Sequence, residues 1–245
     1  ASLSLLDKYF FVIYSDTYFT INFASFIRAF NSKSNINNQI DGMILVHPNN
    51  HPNDSDLVEL NSKDELIAIH GYPHKKKNLR NLVNAAFYLL KRDLIEDIKD
   101  NLNEESIFDI AKDIFPRAIN KGFKIFGYHS SEYIKDMGTP NRLAKLEALI
   151  ENGKLRNLSP NISKEVVFID RDGCINEERG RITNEKDIKL IEGSAEAIRI
   201  FNDYALPVFC ITNQPVIARG DISIKKLDII HARLDYLLGE NNAFL

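Results

Sequence analysis

An apolar run that ends in two acids one residue apart is the feature of this sequence best suited to chemistry. Val166-Val167-Phe168-Ile169 leads directly into Asp170-Arg171-Asp172-Gly173. Residues i and i+2 leaving a strand can face one site, and a turn glycine lets the backbone approach a ligand closely. One carboxylate can then attack a phosphorus atom while the other handles the leaving-group proton. Two such acids repel each other, and a bound Mg²⁺ is the natural counter-charge. Forty-two residues after Asp170, a second apolar run, Val208-Phe209-Cys210-Ile211, ends in Thr212-Asn213-Gln214. A hydroxyl and an amide at a strand end are groups that hold phosphate oxygens. Either acid alone would read as a loop cap; together with the second strand end they read as a phosphate-handling site. Two further aspartates are weaker signals: Asp16, closing Phe11-Val12-Ile13-Tyr14-Ser15, and Asp136, just before Gly138 and the helix start at Thr139-Pro140. His47, His51, His70 and His74 match no zinc-ligand spacing and read as surface or loop residues.

The elements that must position these groups follow from apolar periodicity. Phe10 to Tyr14, Asp41 to Val46 and Phe123 to Tyr128 have strand length, and Asp56 to Leu60 with Leu66 to His70 reads as a hairpin-like pair. Leu94, Ile95, Ile98 and Leu102 carry helical spacing. Thr139-Pro140 opens a helix in the cap-then-proline order, and Gly153 is its expected stop. Residues 157–163 are polar, contain a proline and lack periodicity, which predicts a linker over 158–163 between domains at 1–157 and 164–245. Beyond it come a strand at Val166 to Ile169, a helix at Ala195 to Tyr204, a strand at Pro207 to Ile211 and a helix at Ser223 to Leu238. Strand, helix, strand, helix implies a parallel sheet, whose ligands bind beyond the carboxyl ends of the strands. The fold class is α/β, in two units.

Composition narrows the partners. The 245 residues are 44% hydrophobic and 27% charged, with a net charge of −3. Up to Pro160 there are 20 basic and 20 acidic residues, and after it 11 and 14, so neither half makes an electrostatic case for nucleic acid. The apolar runs are too short to cross a membrane, and the first residues lack a signal-peptide pattern. Cys174 and Cys210 are the only cysteines, which fits a reducing compartment. The expectation is a cytoplasmic protein working on a small molecule or a protein partner, with room for a homo-oligomer.

The stretch from Phe168 to Asn176, with Ile211-Thr212-Asn213-Gln214 and Ile217-Ala218-Arg219-Gly220, resembles the haloacid-dehalogenase superfamily of phosphatases. Within that superfamily it looks like the heptose-bisphosphate and histidinol-phosphate branch. The resemblance implies that Asp170 is a nucleophile forming an aspartyl-phosphate and Asp172 the general acid/base. It also implies Mg²⁺ on Asp170 and Asp172 (through the Asp172 carbonyl), and phosphate or substrate on Thr212, Asn213 and Arg219. Cys174 stands where the family usually has threonine, and Pro215-Val216 where it has Ser-Gly. The fold implied is the N-terminal part of a Rossmannoid domain with a parallel sheet, the later motifs lying beyond the sequence.

Residues 8–156 resemble sugar-phosphate nucleotidyltransferases, especially mannose-1-phosphate and heptose-1-phosphate guanylyltransferases. The likeness rests on Glu132 to Leu143, on His47-Pro48-Asn49 through Glu59, and on Leu79 to Ala85. It implies a Rossmann-like α/β domain without its N-terminal glycine-rich loop, a pair of Mg²⁺ carboxylates at Asp16 and Asp136, and a sugar contact at Asn84. Ser15 and Ala86 occupy positions where that family carries glycine, and Tyr72 one where it carries lysine. The two resemblances together imply a Mg²⁺-dependent sugar-bisphosphate phosphatase fused to a sugar-1-phosphate nucleotidyltransferase, with a sugar phosphate and a nucleoside triphosphate as partners. Histidinol phosphate as substrate, or a non-catalytic module that binds sugar phosphates or scaffolds a partner, are the alternatives.

Overall fold

A computed structural model describes residues 3–37, 39–76, 78–99, 108–155, 163 and 165–245. Residues 158–162 of the expected linker and Leu102 of the expected helical stretch lie outside the described residues. Packing divides the chain into two units. The first holds residues 1–47, 58–71 and 84–148, and the second holds 48–57, 72–83 and 149–245. Two segments that precede the linker in sequence thus pack with the C-terminal unit, so the units interleave along the chain.

Among the described residues the strands and α-helices follow in this order: β1 (Tyr9–Ile13), β2 (Thr17–Phe19), α1 (Phe23–Asn37), β3 (Gly42–His47), β4 (Leu57–Leu60), β5 (Leu66–His70), β6 (Val83–Lys91), α2 (Arg92–Lys99), α3 (Phe115–Asn120), β7 (Ile125–His129), β8 (Ile134–Asp136), α4 (Pro140–Glu151), β9 (Val167–Ile169), α5 (Ser194–Asp203), β10 (Val208–Cys210), α6 (Pro215–Ala218) and α7 (Ile224–Gly239). The main sheet runs β5-β4-β6-β3-β7. Long β6 pairs antiparallel with β4 at its start, Leu57 opposite Val83, and antiparallel with β1 over its last five residues. β3 and β7 are parallel, so the sheet is mixed. β3 is a continuous apolar run whose residues 43–46 are all buried, the pattern of a strand covered on both faces.

The first unit's core is aromatic. Phe11, Phe19, Phe23 and Phe26 all set their rings 5.1–5.6 Å from that of Phe87 in edge-on arrangements. Phe23 and Phe26 come from α1, which the apolar spacing did not reveal. Its start is fixed from afar: the Ser25 N–H donates to the Asn22 side chain at 3.0 Å, and the Asn22 N–H donates to buried Glu132 at 2.8 Å. A carboxylate there also suits the positive end of the helix.

Ala86 has φ of +52° inside β6, the left-handed region where a Cβ is costly. Replacing it with glycine removes about 1–2 kcal/mol of backbone strain and adds about 0.5–1 kcal/mol of chain entropy cost. Ala86→Gly is therefore expected to leave stability unchanged or raise the melting temperature by a few degrees. A clear drop on calorimetry would contradict that.

In the second unit β9 and β10 run parallel, with Cys210 opposite Ile169. α5 and α7 cover one side through Ile198, Ile230, Leu234 and Leu238, which pack around Val208 and Ile175. Ser223 caps α7 by accepting the Lys226 N–H. Arg80 and Asn81 are held to the same helix, because Arg80 Nε and the Asn81 N–H both donate to Asp235, at 2.7 and 3.1 Å.

Candidate functional site

Parallel pairing of β9 with β10 brings both strand ends to one edge. The pairing extends one step past the strands, where the Ile211 N–H donates to the Ile169 carbonyl at 2.9 Å. Asp170 and Asp172 leave β9 at the same edge where Thr212 and Gln214 leave β10. Asp170 is exposed, and one of its oxygens accepts the Arg171 N–H at 2.7 Å.

Gly173, at φ +78°, turns the chain back so that the Ile175 and Asn176 N–H groups both donate to the Arg171 carbonyl. The Ser194 hydroxyl at the start of α5 secures the return by donating to the Ile175 carbonyl at 2.9 Å. This fold-back buries Arg171, whose side chain is 1% exposed. Its guanidinium reaches both oxygens of Asp172 at 2.9–3.1 Å and donates to Gln214 Oε1 at 2.8 Å. Fully buried Asn176 donates to Asp172 Oδ1 at 2.9 Å, and Gln214 donates to Asp172 Oδ2 at 2.7 Å. Burial pulls the Asp172 carboxyl upward, but the hydrogen bonds from Arg171, Asn176 and Gln214 outweigh it and hold the group below its ordinary range. Asp172 is thus an ionised acceptor with its carboxylate tied to protein donors. Arg171 Nη1 and Asn176 Oδ1 are buried and have no hydrogen-bond partner among the described residues.

Thr212 is half-buried, and its oxygen receives the second Gln214 amide proton at 2.7 Å. Asn213 is exposed beside it, and Arg219 is exposed just after the short helix α6. The Cys210 thiol is pushed up to about 11 by burial, so at neutral pH it is an inert packing group. Two carboxylates, a hydroxyl and side-chain amides thus meet at one strand edge. Arg171, Asn176 and Gln214 belong to the site's framework although sequence reading assigned them no role. Gln214 and Asn176 stand inside the motifs, and the sign of Arg171's role would have been its position between two acids.

Mg²⁺ takes hard oxygen ligands, and usually one or two carboxylates plus substrate phosphate and water. The Asp170 carboxylate and the Asp172 carbonyl are donors of that kind. No cluster of three or more His, Cys, Asp or Glu side chains suited to a metal occurs among the described residues. The Asp170 carboxylate and the Asp172 carbonyl are the oxygens that would hold such an ion.

In the first unit β2 pairs antiparallel with β8, setting Thr17 opposite Asp136, and the Met137 N–H donates to the Asp16 carbonyl at 2.7 Å. Asp16 and Asp136 therefore sit on neighbouring rungs of one short ribbon. Asp16 is exposed. Asp136 is engaged: its Oδ1 accepts from Arg142 Nη1 at 2.6 Å and from the Gly138 N–H at 3.1 Å. Burial pushes its carboxyl up, and the bonds from Arg142 and Gly138 bring it net below the ordinary range. Asn84, on β6, donates to the Tyr88 hydroxyl at 2.8 Å. Of His47, His51, His70 and His74, His70 pairs with Glu59 at 3.0 Å, His74 bonds the Ser55 carbonyl at 2.7 Å, and His51 bonds Asn49 and Ser55.

Comparison with known proteins gives two groups of relatives. The chain is 40% identical over 75 residues to a D-glycero-D-manno-heptose-1,7-bisphosphate 7-phosphatase of Thermosynechococcus vestitus, covering 31% of this chain and 38% of the relative. It is 37% identical over 79 residues to the protein of the same name from Chlorobaculum tepidum, covering 32% and 40%. It is 28% identical over 160 residues to a glucose-1-phosphate adenylyltransferase of Clostridium acetobutylicum, covering 62% and 40%. The chain thus spans about two fifths of the length of each of these relatives. No helix among the described residues is long and apolar enough to cross a membrane. The nucleotidyl transferase family model matches residues 2–153, well over half of the sequence, and the chain belongs to that family.

Proposed function

We propose that the strand edge holding Asp170, Asp172, Thr212 and Gln214 is a phosphatase site for a sugar bisphosphate of the heptose 1,7-bisphosphate kind. In this reading the phosphatase stretch is 164–245 and the nucleotidyltransferase stretch 1–157. The observation that carries it is the convergence of the two motifs at one edge through the β9–β10 pairing. Likeness to phosphatases named for that substrate supports the sugar class. Asp170 attacks phosphorus, the bond to the sugar oxygen breaks, and that oxygen leaves with the proton carried by the acid form of Asp172. Water then opens the aspartyl-phosphate, its proton passing to Asp172, which releases phosphate and restores the Asp170 carboxylate. Thr212, Asn213 and Arg219 hold the phosphate and substrate. Mg²⁺, when bound at Asp170 and the Asp172 carbonyl, supplies charge neutralisation of the phosphoryl oxygens.

For the first unit we propose a nucleotide-sugar role: Asp16 and Asp136 carry the metal for a nucleoside triphosphate, and Asn84 contacts the sugar. The Arg142–Asp136 pair favours a second reading, a module that binds sugar phosphate without turning it over. Calorimetry with GTP, a sugar 1-phosphate and Mg²⁺ separates the two. Product formation supports the transferase, and binding without turnover supports the module.

Phosphate release from the bisphosphate should require Mg²⁺ and fall to background in EDTA. Its kcat/KM should exceed that for histidinol phosphate at least tenfold. Equal or reversed preference would move the substrate to histidinol phosphate.

A further inference from the structure

Among the described residues, the side-chain hydrogen bonds that join the two strand ends all run through Gln214. Its amide has two protons and a carbonyl, and each meets a partner of the right kind. Nε2 lies 2.7 Å from Asp172 Oδ2 and 2.7 Å from Thr212 Oγ1, while Oε1 lies 2.8 Å from Arg171 Nη2. The reverse orientation would press the amide oxygen against a carboxylate and the NH₂ against a guanidinium. The buried ion pair therefore fixes which way the amide points. With Nε2 toward it, Thr212 Oγ1 is the acceptor in that bond. A hydroxyl has a single proton, so the Thr212 proton is directed away from Gln214.

We infer that Gln214 is a positioning residue: the Arg171–Asp172 pair orients its amide, and the amide orients the Thr212 hydroxyl as a donor for a phosphate oxygen. This rests on the phosphatase reading and deepens it, because it joins the group that handles the proton to the group that grips the phosphate. Glutamate at 214 has nearly the same shape and keeps an acceptor for Arg171. Its carboxylate, however, puts an oxygen where Nε2 gave protons to Asp172 and Thr212: it repels the first and takes the proton of the second, and the hydroxyl is withdrawn from the ligand. Leucine removes every bond but leaves the hydroxyl free to turn.

The test is calorimetric titration of inorganic phosphate in the presence of Mg²⁺. The proteins are wild type, Gln214→Glu, Gln214→Leu, Thr212→Val and the Gln214→Glu/Thr212→Val double variant. Gln214→Glu should weaken phosphate about tenfold or more, the loss of one charge-assisted hydrogen bond, and more than Gln214→Leu does. In the Thr212→Val background the glutamate should change affinity less than threefold. A merely structural role reverses the first order, since leucine disrupts more contacts. Plain charge repulsion keeps the full glutamate effect without the hydroxyl. Either result overturns the inference. The second readout needs no change at 214: added phosphate should shift the Gln214 side-chain amide resonances in wild type and leave them unmoved in Thr212→Val. Equal shifts in both proteins count against it. If wild type binds phosphate and Thr212→Val does not, the phosphatase reading stands whatever Gln214→Glu shows. If wild type and Asp170→Asn are alike in binding none, the reading falls and the inference with it.

Discussion

Replacing Asp170 with asparagine is expected to lower phosphatase turnover about a thousandfold or more. The substitution removes the attacking oxygen and with it the covalent route. The fold should be untouched. Asp170 is exposed, and its one bond to the Arg171 N–H at 2.7 Å is a bond that an asparagine oxygen also accepts. Thermal melts of the two proteins should therefore superimpose while the rates differ. A variant with more than a tenth of wild-type kcat would show that another group attacks phosphorus. Loss of both rate and stability would place Asp170 in the framework instead.

The largest expected effect on stability lies one residue on. Arg171 is a cation with 1% of its side chain exposed, held by Asp172 and Gln214. Removing one member of a buried pair leaves the other charge without its main partner, which costs about 3–5 kcal/mol, whereas removing both is far milder. Arg171→Met should lower the unfolding free energy by about 3 kcal/mol. Arg171→Met/Asp172→Asn should recover at least half of that. Urea unfolding of the wild type, both single variants and the double variant closes the cycle. If the double variant is as unstable as the sum of the singles, Arg171 acts through packing alone.

How much of this was legible in the sequence depended on the range of the forces involved. The strand ends at Asp170 and Thr212 were legible because apolar runs stop there and the backbone period places i and i+2 together. β1, β3, β7, α4, α5 and α7 follow from local periodicity in the same way, and Thr139-Pro140 and Gly153 bracket α4 closely. α1 was missed because what fixes its start is a carboxylate at Glu132, 110 residues from Asn22. The β2–β8 ribbon is three residues wide on each side, below the length at which alternation can be seen, and its pairing spans more than 100 residues. The position of Arg171 between two acids is legible in the sequence, but its burial is not. Only the fold-back at Gly173 and Asn176 turns it into the buried centre of the site. Ala86 shows the reverse case. The departure from glycine was visible in the sequence, and its consequence, a left-handed φ borne by an alanine, is visible only in the backbone.

In the proposed mechanism Asp170 itself carries the phosphoryl group. An acyl phosphate is reduced by borohydride, which converts the aspartate that held it into homoserine, and peptide mass spectrometry reads the position of that change. Quenching the protein during turnover of the sugar bisphosphate with Mg²⁺ should give homoserine at position 170, and none should form without substrate. Homoserine at any other aspartate, or steady turnover with position 170 always recovered as aspartate, would contradict the account.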